Sequence, residues 1–157
     1  MPDRIEAKVT HRFKASPERV YDTYLDQERA RLWQRAWLQQ SGLKGELTAC
    51  EIDPVVGGGF LFADRREEGE ARHWGTFKAL HRPTRIAFTW ITDPSEEADP
   101  SLVTIIIEPE PDGPGAIATL YHEMDVRWAD TTEQTERGWI AMLMGIDAML
   151  IAEGVMS

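Results

Sequence analysis

From Asp130 to Gly154 the chain runs without a proline, and Trp139, Met142, Leu143, Ile146, Met149 and Leu150 recur at steps of three and four. That spacing puts them on one face of an α-helix. At about seven turns, such a helix is far longer than a connector needs to be. It follows a series of short strand-like runs, and its apolar stripe requires a surface to cover it. The concave side of the sheet formed by those runs is the large apolar surface available. What lies between helix and sheet becomes the functional question.

The preceding residues supply that sheet. Ile5, Ala7, Val9, His11 and Phe13 alternate with Glu6, Lys8, Thr10, Arg12 and Lys14, the period of a half-buried strand. Ser16 followed by Pro17 and Glu18 reads as a helix N-cap with proline at the first helical position, where its missing N–H does no harm. A helix is predicted over 17–25, then a second short one that includes Ala30, Trp33, Ala36 and Trp37. Strands follow over 47–53, 60–66, 72–80, 85–92, 102–108 and 117–126. They are joined by the glycine-rich turn 54–59, a charged tip at 67–71, the turn 81–83, an acidic loop at 93–100 and the turn 109–115. About seven strands adjacent in sequence imply a largely antiparallel sheet.

Composition narrows the function. The length suits one domain over 1–157, and no apolar run approaches the roughly 20 residues of a membrane span. The N-terminus has no apolar signal-like region, so cytoplasmic residence is the expectation. Cys50 is the lone cysteine and sits in an alternating run, which fits a small core residue in a reducing compartment. A net charge of −10 repels a phosphate backbone and argues against nucleic acid. Glu67, Glu68 and Glu70, like Glu96, Glu97 and Asp99, read as solvated loop tips without the spacing of a calcium loop. His11, His73, His81, His122 and Cys50 show no short metal-ligand spacing, so no metal is expected. Ser16 and Ser41 have no base at a recognisable spacing, and Gly57 to Gly59 is not followed by the Lys-Ser/Thr of a phosphate loop. No catalytic residue and no cofactor are assigned.

The order strand, two helices, six strands and long helix resembles the helix-grip fold of START-like binders, the SRPBCC superfamily. Local words are similar to those of the activators of the heat-shock-protein-90 ATPase and their stand-alone bacterial relatives. They are the run from Phe13 to Trp33, the Gly58-Gly59-Phe60 strand start, the stretch from Gly75 to Trp90, the strand from Ile117 to His122, and Gly138-Trp139 at the terminal helix. Two words depart from the pattern: Gln27 stands where the family has proline, and Gly115-Ala116 where it has Gly-Thr. The resemblance implies an α+β helix-grip fold, a curved antiparallel sheet wrapped around the terminal helix with a cavity between.

In that frame the candidate ligand-binding residues are Trp33, Trp37, Phe60, Phe62, Phe77, Trp90, His122, Trp139, Met142, Leu143 and Ile146. Each aromatic either fills the core or faces a ligand. By strand parity His122 shares the apolar face of Leu120 and Met124, either as a satisfied core histidine or as a donor to a ligand oxygen. Gly138 and Gly145 lie two turns apart, each costing roughly 1 kcal/mol relative to alanine. Close approach to the sheet or to another chain, hence a homodimer, would offset that cost, as would room for a ligand. The leading expectation is non-enzymatic binding of an apolar or lipid-like small molecule. The alternatives are a co-chaperone-like module acting on a chaperone partner in the stress response, and a cyclase or hydrolase using the same cavity.

Overall fold

The computed structural model describes residues 4–40, 46–67 and 69–153. Readings that touch Met1, Pro2, Asp3, Ser41, Glu68 and Gly154 lie outside the described residues. The chain begins with β1 (Arg4–Phe13), α1 (Pro17–Leu25) and α2 (Gln27–Gln40). Six strands follow: β2 (Glu46–Ile52), β3 (Gly59–Arg66), β4 (Gly69–His81), β5 (Arg85–Trp90), β6 (Ser101–Pro109) and β7 (Ala116–Asp125). The 3-10 turn Val126–Thr131 then leads into α3 (Thr132–Ala152).

The seven strands form one antiparallel sheet in the order β1-β7-β6-β5-β4-β3-β2, so the first strand pairs with the last. Period-two alternation sets the faces. In β7, Ala116, Ala118, Leu120, His122 and Met124 are buried in turn, and in β6 Ser101, Val103, Ile105 and Ile107 repeat the pattern opposite them. At α1 the cap forms as the sequence indicates, with Ser16 Oγ accepting from Arg19 N at 3.3 Å and Pro17 in the first turn. Aromatic rings tie the helices to the sheet: Tyr24 stacks on Trp33 at 5.3 Å and on Phe88 at 5.7 Å.

Several boundaries differ from the sequence reading by a residue or two, β5 ending at Trp90 rather than at 92 among them, and three differences bear on the architecture. The charged tip expected at 67–71 is shorter, because β3 and β4 stay paired as far as Arg66 opposite Gly69 and Arg65 opposite Glu70. Backbone pairing at a hairpin end tolerates charged side chains that point to water. The second helix is long rather than short, reaching Gln40. The terminal helix starts at Thr132, after the 3-10 turn, and not at Asp130.

α3 packs on both α2 and β1. His11 Nε2 donates to Asp147 Oδ2 at 3.0 Å, and Arg29 Nη1 donates to Glu153 Oε1 at 2.8 Å near the helix end. The two helix glycines have different causes. A Cβ on Gly145 would lie 2.9 Å from the Trp33 carbonyl oxygen and 3.0 Å from the Trp37 backbone nitrogen, so this glycine allows α2 to close against α3. A Cβ on Gly138 would meet nothing within 4 Å. The close approach inferred for the sheet or a second chain is therefore made by α2, and only at Gly145.

The contrast is measurable. Gly145→Ala should destabilise the protein by about 1–3 kcal/mol despite alanine's better helix propensity, because backbone has to move. Gly138→Ala should stabilise it by up to about 1 kcal/mol. Urea unfolding of both variants checks this, and shifts of the same sign would contradict the packing described.

Candidate functional site

The open position at Gly138 belongs to a cavity of about 280 Å³ between the N-terminal half of α3 and the sheet. Such a volume lies near the lower end of small-molecule pockets, roughly 300–1,000 Å³. α3 contributes Thr135, Gly138, Trp139 and Met142, one stripe at helical spacing. His122 and Met124 come from β7 on the same parity, Ser101 from β6, Trp90 from β5, and Phe62 with His73 from the paired strands β3 and β4. α2 adds Trp33, Gln34 and Trp37. Connecting segments complete the wall with Thr92, Glu96, Trp128 and Thr131. Thr92 and Trp128 are exposed, whereas Trp33, His122 and Met142 are buried, so the mouth lies between the segments around Thr92 and Trp128.

Five of the six tryptophans line this one cavity, Trp74 being the exception. The rings run on from one to the next. Trp37 meets His73 edge-on at 6.5 Å, His73 stacks on Trp90 at 5.0 Å, Trp90 lies 4.8 Å from Trp139, and Trp139 meets His122 edge-on at 5.7 Å. Outside this row, the guanidinium of Arg66 sits over Trp37 at 5.6 Å and that of Arg127 over Trp128 at 5.1 Å.

Polar atoms in the wall are sharply defined. Trp139 Nε1 donates to His122 Nδ1 at 2.9 Å. An indole N–H only donates, so Nδ1 is the unprotonated nitrogen and the neutral ring carries its proton on Nε2. Burial lowers the His122 pKa to about 4, against a smaller upward pull from Glu96. Nε2 is buried with no hydrogen-bond partner among the described residues. His73 is likewise lowered to about 4, by burial and then by Arg66, with Asp64 and the Phe62 backbone pulling the other way. Glu96 Oε1 accepts from Thr92 N at 2.8 Å, Thr92 Oγ1 at 2.9 Å and Asp93 N at 2.9 Å, which folds the mouth segment around it.

Of the residues expected from sequence, Trp33, Trp37, Phe62, Trp90, His122, Trp139 and Met142 come together in this wall. Phe60, Phe77, Leu143 and Ile146 do not line it and instead fill the core. Phe60 packs among Phe62, Phe77, Phe88 and Trp90, and Leu143 and Ile146 lie along the half of α3 that Gly145 lets α2 cover. Two of the wall's indole N–H groups are already engaged within the protein: Trp139 Nε1 donates to His122, and Trp33 Nε1 donates to the Thr23 carbonyl at 3.1 Å. Cys50 is buried in the core with its thiol pushed up to about 11 by desolvation, as suits an inert residue.

Gln34, Thr92, Glu96, Ser101, Met124, Trp128, Thr131 and Thr135 were not among the sequence candidates. Thr135 carries a signal, since it precedes Gly138, Trp139 and Met142 at helical spacing, and Met124 shares the parity of His122. Glu96, read as a solvated loop tip, is half-buried and part of the wall.

The family model described as "Activator of Hsp90 ATPase homolog 1-like protein" matches residues 14–150. The chain belongs to this family. Comparison with curated proteins returned no match. Among solved structures, protein CV1439 from Chromobacterium violaceum is similar, at 23% identity and a TM-score of 0.71, over 95% of this chain and 97% of that one. An AHSA1-like protein from Aeromonas hydrophila aligns at 23% identity and a TM-score of 0.68, over 94% of both chains. Protein SA2116 from Staphylococcus aureus, described as of unknown function, has 16% identity and a TM-score of 0.74 over 98% of this chain and 97% of that one. These likenesses establish a shared fold. No helix among the described residues is long and apolar enough to cross a membrane.

The histidines make stability depend on pH. Both native pKa values lie below the unfolded value of about 6.5, so the unfolded chain takes up protons first as pH falls. The stabilisation is present above about pH 6.5 and declines toward pH 4, by up to about 1.4 kcal/mol per pH unit for each histidine. In urea titrations across that window His122→Gln, which keeps an acceptor for Trp139, should remove about half of the slope. An unchanged slope would show that His122 takes up its proton equally in the native and unfolded states, contrary to its burial.

Proposed function

We propose that the chain binds an apolar small molecule in the cavity between α3 and the sheet, without altering it chemically. The observation that carries this reading is the convergence of five tryptophans, from α2, β5, the 3-10 turn after β7 and α3, on one space of about 280 Å³. A chain that only needed a core would close such a gap, since voids lose dispersion contacts and destabilise a fold. Affinity would come from burying apolar ligand surface at roughly 25 cal/mol per Å², before the cost of ordering the partners. A cytoplasmic setting fits the lone buried thiol of Cys50.

A second reading takes the family's description at its word and makes the chain a module that stimulates a chaperone ATPase. Ile140, Met144 and Ile151 favour it, being exposed apolar residues on α3 away from the cavity stripe.

The cavity reading is tested with N-phenyl-1-naphthylamine, an uncharged fluorophore that brightens in apolar surroundings. The protein should bind it saturably at one site, and Gly138→Met, which projects a side chain into the space, should weaken binding about tenfold or more with the circular dichroism unchanged. Absence of saturable binding to the unmodified protein, together with stimulation of a chaperone ATPase, would replace the first reading by the second.

A further inference from the structure

The cavity wall is nearly uncharged on every side. Glu96 is its one formal charge, and no lysine or arginine lines it among the described residues. The nearest guanidinium groups have other positions. Arg66 is ion-paired with Asp64 and lies over Trp37, and Arg127 is exposed over Trp128 at the mouth. The other polar lining groups, Gln34, Thr92, Ser101, Thr131 and Thr135, are neutral, as are His73 and His122 at physiological pH. An anion entering here would lose its hydration and approach the Glu96 carboxylate with no cationic side chain in the wall to compensate.

Among the described residues, one buried side-chain polar atom lacks a partner, and it belongs to this wall. Because Trp139 occupies Nδ1, His122 presents an Nε2–H, and that donor is buried and unsatisfied. No protein acceptor among the described residues pairs with it, and a ligand acceptor that reached it as the surrounding wall adjusts would supply that partner. A buried donor left unpaired is costly, and pairing it gives a ligand selectivity that apolar contact alone does not. The row of rings from Trp37 through His73, Trp90 and Trp139 to His122 offers faces and edges suited to another flat ring. A rigid planar ligand also loses less freedom on binding than a flexible acyl chain.

Resting on the cavity-binding reading, we propose that the site selects uncharged planar aromatic molecules with a hydrogen-bond acceptor at one end, placed against His122 Nε2–H, and discriminates against carboxylate-headed and phosphate-headed lipids. His122 thus decides which end of the ligand enters first. Glu96 decides which charge is refused.

Three probes with the same bicyclic ring separate the contributions: 2-acetylnaphthalene carries a neutral acceptor, 2-ethylnaphthalene replaces it with an alkyl group, and 2-naphthoate replaces it with an anion. Isothermal titration calorimetry at pH 7.5 should show the ketone binding about tenfold tighter than the alkyl compound, and the naphthoate weaker than the ketone by at least as much. In His122→Phe the preference for ketone over alkyl should fall to about one, with retained 2-ethylnaphthalene binding showing that the cavity persists. Glu96→Gln keeps the oxygen that accepts from Thr92 and Asp93 but removes the charge, and should narrow the gap between naphthoate and ketone about tenfold. Equal binding of ketone and alkyl compound, or naphthoate binding as tightly as the ketone, would overturn the selectivity while leaving apolar binding in place. Failure of all three to bind would overturn both.

Discussion

The contact of Gly145 with the α2 backbone is the constraint from which the rest of the arrangement follows. It brings α3 close enough to α2 that a Cβ would collide with main-chain atoms of Trp33 and Trp37. Two turns earlier, at Gly138, the same helix has nothing within reach of a Cβ. One rigid helix, tight at one position and free at the other, confines the open space to its N-terminal half. That is why Met142 and Trp139 face a cavity, whereas Leu143 and Ile146 meet only core. The indoles of Trp33 and Trp37 are held over the space by the same contact that closes its far end.

The polar organisation follows from that placement. With α3 at this height, Trp139 Nε1 reaches His122 Nδ1 and leaves Nε2 as the remaining donor. A histidine in an apolar wall stays neutral because charging it would require desolvating an ion, which outweighs the attraction of Glu96. The ring is therefore fixed in tautomer as well as in orientation, and one hydrogen bond joins the sheet to the helix across the cavity. An unsatisfied buried donor costs about 1–3 kcal/mol. The surrounding core, with Phe77, Phe88, Leu120 and Val103 almost wholly buried, provides the stability that tolerates it.

Much of the frame was legible in the sequence because it rests on short-range regularities. Alternation in β6 and β7, the Ser16-Pro17 cap and the stripe on α3 each translate one periodicity into one buried face. Parity gives the face but not the depth, so Phe60 and Phe77 were indistinguishable from Phe62 until the sheet's partners were placed. Residues in connections carry no periodicity at all. Glu96 and Trp128 reach the wall because the chain's path around the sheet brings their segments together, and a run of acidic residues looks the same in water or at a cavity mouth. The glycines show the same limit. Their helix cost was visible, but whether α2, the sheet or open space relieved it depended on a tertiary contact.

The wall itself divides by what holds it. Trp90 packs on Phe60, Phe88, His73 and Trp139, so it belongs to the core as much as to the cavity. Trp33 is tied to Thr23 and stacked on Tyr24. These rings cannot shift without disturbing a close-packed interior, where small displacements are resisted. The mouth is held differently, mostly by hydrogen bonds between near neighbours: Ser95 N to Asp93, Thr92 to Glu96, Arg127 N to Asp125 at the end of β7 and Thr131 to the Trp128 carbonyl, with Arg4 of β1 reaching the Pro100 carbonyl at 3.3 Å. In the proposed binding mode, accommodation of ligands of different length would fall to the segments around Thr92 and Trp128, while the inner wall would set ring shape and the position of the acceptor.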